Sequence, residues 1–173
     1  HKTSGLSTME YANQVLFEPL GIAPYVRFDA KTAQEHKAFI LSKEPKGHIW
    51  FSDPTGVGTA GYGLCMSAED MAKIGQMCLM EGEYEGKRIV SSSWLKESTT
   101  VHFVCDKYFR DMCYGYLWWI IDAKKGIYAA IGNSGNVIYV NPTKQTVVAI
   151  TGTFKPTILD RIDFLQENIE PLL

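Results

Sequence analysis

The 173-residue sequence holds no run approaching the roughly 18 consecutive apolar residues that a membrane-spanning helix needs. Nothing in it reads as a membrane span. It also lacks an excess of charge of either sign. Lys and Arg number 17 against 19 Asp and Glu, for a net charge of -2. No basic field is present to hold nucleic acid or an anionic membrane surface. The four histidines, His1, His36, His48 and His102, show no H-x-x-x-H or comparable ligand spacing, so neither a metal nor another cofactor is expected. The four cysteines, Cys65, Cys78, Cys105 and Cys113, make no C-x-x-C pair, which excludes a zinc ribbon or a thioredoxin-like redox site. Free thiols are the expectation, with Cys105 and Cys113 placed to close a short loop if any pair does. Internal repeats and low-complexity segments are absent. What remains is a chain 46% hydrophobic and 12% aromatic, enough to bury a sizeable core.

The pattern predicts an α+β chain. Residues 7–17 (STMEYANQVLF) read as a helix, with Ser7 and Glu10 spaced as a capping box and Tyr11, Val15 and Leu16 as an apolar stripe. Pro19 and Gly21 end it. Residues 21–66 read as a long connection with only hints of strand, of the kind that is functional or packed along another element. Residues 67–80 give the clearest helix: Ser67 caps it, Asp70 completes S-x-x-D, and Met71, Ile74, Met77 and Cys78 line one face. A short helix comes next over 93–98. The texture then turns to strands at 114–121 (YGYLWWII), 127–131, 136–140 (NVIYV) and 146–151 (TVVAIT), the last two joined by a tight hairpin. Short turns between them mean an antiparallel sheet. The apolar positions Ile158, Leu159, Ile162, Leu165 and Ile169 space an amphipathic helix that lies on that sheet.

Several strings match catalytic patterns literally. Ser93-Trp94-Leu95-Lys96 fits S-x-x-K, in which a lysine one helical turn on draws the proton from a nucleophilic serine. The plainer reading, a serine at a helix start with a surface lysine, is preferred. Tyr11-Ala12-Asn13 fits Y-x-N but falls inside a helix, where a structural role is preferred. Gly132-Asn133-Ser134-Gly135 approaches a nucleophile elbow, yet a glycine is needed where Asn136 stands, and the turn leads into a strand rather than a helix. His48 beside Trp50 reads as a loop histidine packed on an aromatic. The best candidate site is the glycine-rich turn at Gly132, Asn133, Ser134, Gly135 and Asn136, whose backbone N–H groups are placed to face a developing oxyanion.

Taken in order, the segments Tyr62-Gly63-Leu64, Met66-Ser67-Ala68-Glu69-Asp70-Met71-Ala72-Lys73, Gly75-Gln76, Gly86-Lys87-Arg88-Ile89-Val90 and Tyr114-Gly115-Tyr116 with Trp118-Trp119 resemble the β-lactamase-related serine hydrolases. That family includes class C β-lactamases, D-alanyl-D-alanine carboxypeptidases and esterases. The segment from Ser7 through Phe17-Glu18-Pro19-Leu20-Gly21-Ile22 is similar to the family's helix before its Pro-Leu-Gly turn. The resemblance runs from about Ser7 to the C-terminal helix. It implies an antiparallel sheet flanked by helices, a partial β-lactamase/transpeptidase-like fold. It also implies that residues 1–173 are one unit, the C-terminal portion of a catalytic domain. The family's S-x-x-K and Y-x-N lie upstream of the segment matched by Ser7, so no catalytic residue is expected here. The start at His1 fits that expectation.

The resemblance places one family site inside the chain. Asn133, Ser134 and Gly135 align with the third motif, which contacts the substrate, and the N–H of Asn136 would supply half of the oxyanion hole. Asn133 stands where the family carries a basic or imidazole side chain. An amide hydrogen-bonds a carboxylate where a cation attracts it, which fits an esterase-like or degenerate member. The function implied is acyl-enzyme hydrolysis of an ester, amide or β-lactam by the full-length protein, with a small-molecule substrate and with the present chain inactive alone. The alternative is a degenerate, non-enzymatic binding or interaction module. In the family fold the last strand pairs with an N-terminal strand. The expected partners are therefore the N-terminal half of the domain or a second copy joined through the open sheet edge.

Overall fold

The structure is a computed structural model. It describes residues 3–42, 44, 46–53, 57–59, 61–109, 112–132, 135–152 and 160–172. The chain divides into two compact units, His1–Asp70 and Met71–Leu173.

The first unit opens with α1 (Thr8–Ala12). Its capping box forms as the sequence predicts: Glu10 N–H donates to Ser7 Oγ at 3.2 Å and Ser7 N–H to Glu10 Oε2 at 2.8 Å. A π-helical turn, Asn13–Phe17, and a 3-10 turn, Glu18–Leu20, continue it. Gly21, at φ +62°, stops it. The buried side is not the expected stripe. Tyr11 and Val15 are exposed, while Phe17, Leu20, Ile22 and Tyr25 are buried. The change from α to π winding at Asn13 rotates the later residues off the 3.6-residue face.

The connection over 21–66 contains more regular structure than the sequence suggests. Strands β1 (Val26–Asp29), β2 (Ile49–Ser52) and β3 (Leu64–Cys65) form a three-stranded sheet in the order β1-β2-β3, with helix α2 (Ala33–Leu41) between β1 and β2 in the chain. β1 and β2 run parallel through α2, and β2 and β3 run antiparallel. Thr32 caps α2, accepting from Glu35 N–H at 3.1 Å, while Lys31 N–H donates to Glu35 Oε2 at 2.7 Å. Aromatic rings fill this unit: Phe28 stacks on Phe39 with centroids 4.5 Å apart, and His36 on Phe51 at the same spacing.

The second unit is layered around a six-stranded antiparallel sheet in the order β11-β10-β9-β8-β7-β6. Its strands are β6 (Phe103–Val104), β7 (Cys113–Tyr114), β8 (Trp119–Asp122), β9 (Ile127–Ile131), β10 (Val137–Asn141) and β11 (Thr146–Ile150). Helix α3 (Ala68–Leu79) enters this unit with Met71, Met77 and Cys78 buried, as its spacing predicts. A hairpin of β4 (Glu83–Tyr84) and β5 (Lys87–Arg88) and helix α4 (Ser92–Ser98) come next. Helix α5 (Asp160–Phe164) continues through a π-helical turn, Leu165–Ile169, and a 3-10 turn, Glu170–Leu172.

Period-two alternation sorts the sheet's two faces. Ile127, Ala129, Val137 and Tyr139 pack with Ile162 and Leu165 of the C-terminal helical segment in one buried cluster. Ile138 and Val147 point the other way, onto α3 at Gly75. The expected strand over 114–121 is in fact two. The chain reverses between β7 and β8, where Gly115 N–H donates to Trp118 C=O at 2.8 Å and Leu117 takes φ +65°. Gly115 lies so close to the Ser98 carbonyl that a β-carbon there would overlap it. That contact fixes the reversal in spite of the strand-forming composition.

All four cysteines are free thiols. Cys113 pairs with Val104 in the β6–β7 ladder, and Cys105 N–H donates to Met112 C=O at 2.9 Å. Cys105 and Cys113 are thus one register step apart and on opposite faces of the ribbon. No helix among the described residues is long and apolar enough to cross a membrane.

Candidate functional site

The turn expected to carry the site joins β9 to β10, two interior strands of the sheet. Asn133 and Ser134 lie outside the described residues. Gly135 and Asn136 are described. Gly132 N–H donates to Asn136 C=O at 2.9 Å, and Gly135 N–H to Gly132 C=O at 2.9 Å, closing the reversal. Gly135 takes φ +84°, a conformation glycine adopts without the steric cost of a side chain. The Asn136 side chain fixes the turn from the flank: its Oδ1 accepts the N–H of Gly152, beyond the end of β11, at 2.9 Å. Three successive strands are therefore tied together at this end of the sheet.

A residue that the sequence reading passed over completes the picture. Arg161 of α5 lays its guanidinium against the turn. A β-carbon on Gly135 would stand 3.0 Å from Arg161 Nε and 3.3 Å from Arg161 Nη2. Gly135 is thus favoured by its backbone angle, and a β-carbon there would crowd the guanidinium. The C-terminal amphipathic helix was legible in sequence, and Arg161 lies in it beside Ile162. Its approach to the turn follows from the packing of Ile162 and Leu165 on the sheet.

The literal motif matches make local structural contacts. In α4 the N-cap is Ser91, whose Oγ accepts Trp94 N–H at 3.3 Å. Ser93 is exposed and its hydroxyl lies 3.4 Å from Ser91 Oγ, while Lys96 is also exposed. Asn13 clamps the backbone of buried Tyr25: its Nδ2 donates to Tyr25 C=O at 3.0 Å and its Oδ1 accepts Tyr25 N–H at 2.8 Å.

A second polar cluster occupies the first unit. Asp70 Oδ2 receives Ser67 Oγ at 2.8 Å and lies 3.0 Å from His48 Nε2. Ser67 Oγ also accepts Asp70 N–H at 3.0 Å, which makes the cluster the cap of α3. His48 sits edge-on to Tyr25 with centroids 5.2 Å apart, the aromatic packing expected for it, though against Tyr25 rather than Trp50. Ser67 and His48 thus both meet the same oxygen of Asp70. Burial pushes the Tyr25 phenol well above its usual range, with the charge on Asp70 adding to the rise. Among the described residues, no group of three or more His, Cys, Asp or Glu is arranged to hold a metal ion.

No protein-family model matches the chain. The chain is 29% identical over 104 residues to the 6-aminohexanoate-dimer hydrolase of Paenarthrobacter ureafaciens, a match covering 56% of the chain and 26% of that relative. A solved structure from Bacillus anthracis, whose name assigns it to the 6-aminohexanoate-dimer hydrolases, superposes with a TM-score of 0.55 at 27% identity. That match covers 69% of the chain and 31% of the solved one. The chain thus spans a third or less of the length of these relatives. Its fold is α+β, an antiparallel sheet flanked by helices, consistent with part of a β-lactamase-like fold. Sequence and structure agree on hydrolase relatives, which support the wider β-lactamase-fold serine hydrolase superfamily and select no subfamily within it.

Proposed function

We propose that the chain forms the substrate wall of a serine hydrolase of the β-lactamase-related group, with the turn between Gly132 and Asn136 at its tip. In this reading the whole protein acylates a serine and hydrolyses the acyl-enzyme. The substrate carries an ester, amide or β-lactam carbonyl, and the names of the relatives favour a linear amide. Asn133, Ser134 and Gly135 contact the substrate, and the N–H of Asn136 gives half of the oxyanion hole. Ser93, Lys96 and Tyr11 do not take the nucleophile, base and tyrosine roles, so this chain alone does not turn substrate over.

One observation carries the reading. At the end of two interior strands, Asn136 is tied to the chain beyond β11 by the hydrogen bond from Gly152, which supports a preorganised wall. The test is amide chemical-shift mapping with the linear 6-aminohexanoate dimer, an amide ending in a carboxylate. Shifts concentrated on the N–H groups of Gly132, Gly135 and Asn136 support the reading. Shifts confined to other parts of the chain, or none at saturating ligand, overturn it.

A further inference from the structure

We propose that the chain pairs with a second copy of itself through β6, the strand at the far end of the six-stranded sheet from β11. Among the described residues no strand lies along its outer edge. Both of its residues are open: Phe103 is 65% exposed and Val104 68%. Cys105 N–H donates to Met112 C=O at 2.9 Å on the β7 side, and Val104 faces Cys113 in the same ladder. Donors alternate in direction along a strand, so the N–H and C=O of Val104 point away from β7. Edge strands are ordinarily guarded by charged side chains or proline. Residues 99–105 (TTVHFVC) contain no Lys, Arg, Asp, Glu or Pro.

The apolar surface continues beyond the strand. His102 stacks on Tyr116 with centroids 4.0 Å apart, and Tyr116 stacks on Trp94 at 5.8 Å. Trp94, Val101, Tyr116 and Leu117 are exposed. Together with Phe103 and Val104 they present on the order of 600 Å², most of the roughly 800 Å² that each partner buries in a stable interface. Leu117 is held at φ +65°, in the left-handed region that leucine adopts only at steric cost, yet it is 78% exposed. In the lone chain that strain is matched by no burial. The occupant that fits is the same strand of another copy. A two-fold axis at Val104 sets it opposite its own counterpart. Each then gives its N–H to the other's C=O, as in the hydrogen-bonded pair of an antiparallel ladder. Because residues 99–105 carry no Lys, Arg, Asp or Glu, this self-pairing opposes no like charges there.

The experiment follows hydrogen exchange at the Val104 amide of the full chain as its concentration rises, beside sedimentation velocity. An outward N–H exchanges fast in the lone chain and is protected in the pair. With about nine-tenths of the chains paired, its exchange should slow about tenfold. Val104→Pro removes that donor and spares the ladder to β7, since proline is accepted on an edge strand where the N–H faces solvent. It should sediment as a monomer under conditions where the wild type is a dimer. Val104→Lys keeps the backbone donor and sets like charges across the axis, so it should also be monomeric. Leu117→Gly should weaken the pair without lowering the denaturant midpoint, because glycine accepts the left-handed angle. A Val104 amide that exchanges equally fast at every concentration overturns the inference. So does a dimer that survives Val104→Lys, or one in which β11 amides gain protection and Val104 does not.

Discussion

Gly75 of α3 lies so close to Val147 of β11 that a β-carbon on it would overlap Val147 Cγ1 and stand 3.0 Å from Ile138 Cγ2. Helix and sheet touch here backbone to side chain. Adding a branched side chain forces them apart, and overpacking of this kind costs about 1–3 kcal/mol. Gly75→Val should therefore lower the denaturant midpoint, with the slope of the transition unchanged. An unaltered midpoint would mean that α3 does not pack on β10 and β11 at this position.

The clamp between Asn13 and Tyr25 gives a second prediction. Asn13→Ala leaves a buried N–H and a buried C=O without partners, at about 1–3 kcal/mol for each such group. Asn13→Asp keeps an acceptor for the Tyr25 N–H and should lose roughly half as much. Equilibrium unfolding of the two variants checks the order, and equal losses would contradict the two-bond geometry.

Stability should also fall in alkali. Burial pushes the Cys78 thiol up to about 12 from its ordinary value of 9.0. Between those values the unfolded chain has released the thiol proton while the folded chain retains it. The contribution is therefore intact below about pH 9 and is lost as pH rises toward 12. The slope from one such group is about 1.4 kcal/mol per pH unit at most. The buried phenols of Tyr25 and Tyr128, both pushed up chiefly by burial, act in the same direction. Unfolding measured at pH 8 and pH 10.5 should show the loss, and Cys78→Ala should make it shallower. A slope unchanged in Cys78→Ala would refute the assignment.

Strand β11 stands at one end of the six-stranded sheet, and among the described residues no strand pairs with its outer edge. Both faces of the strand are used, Val147 toward α3 and Val148 toward the C-terminal cluster. What remains open is a row of backbone donors and acceptors. The chain should self-associate through this edge with rising concentration. Light scattering that gives a monodisperse monomer at high concentration would count against it.

The parts legible in sequence are those decided locally. Ser7 with Glu10 and Ser67 with Asp70 mark helix starts because capping depends on residues three apart. Thr32 with Glu35 carries the same signal for α2, but the surrounding Pro and Gly hid it inside an expected loop. The break between β7 and β8 was not legible, since it depends on Gly115 meeting the Ser98 carbonyl across space. The same holds at the candidate site. The glycine turn could be read from its residues, whereas Arg161 reaches it only after α5 has packed on the sheet.

The claim that this chain holds a substrate wall and not the nucleophile is tested most directly by turnover. The wild-type chain and Ser93→Ala are each offered a nitrophenyl ester and a chromogenic cephalosporin. No hydrolysis above the buffer rate by either protein is the predicted result. Hydrolysis by the wild type that Ser93→Ala abolishes would place the nucleophile in this chain and contradict the account.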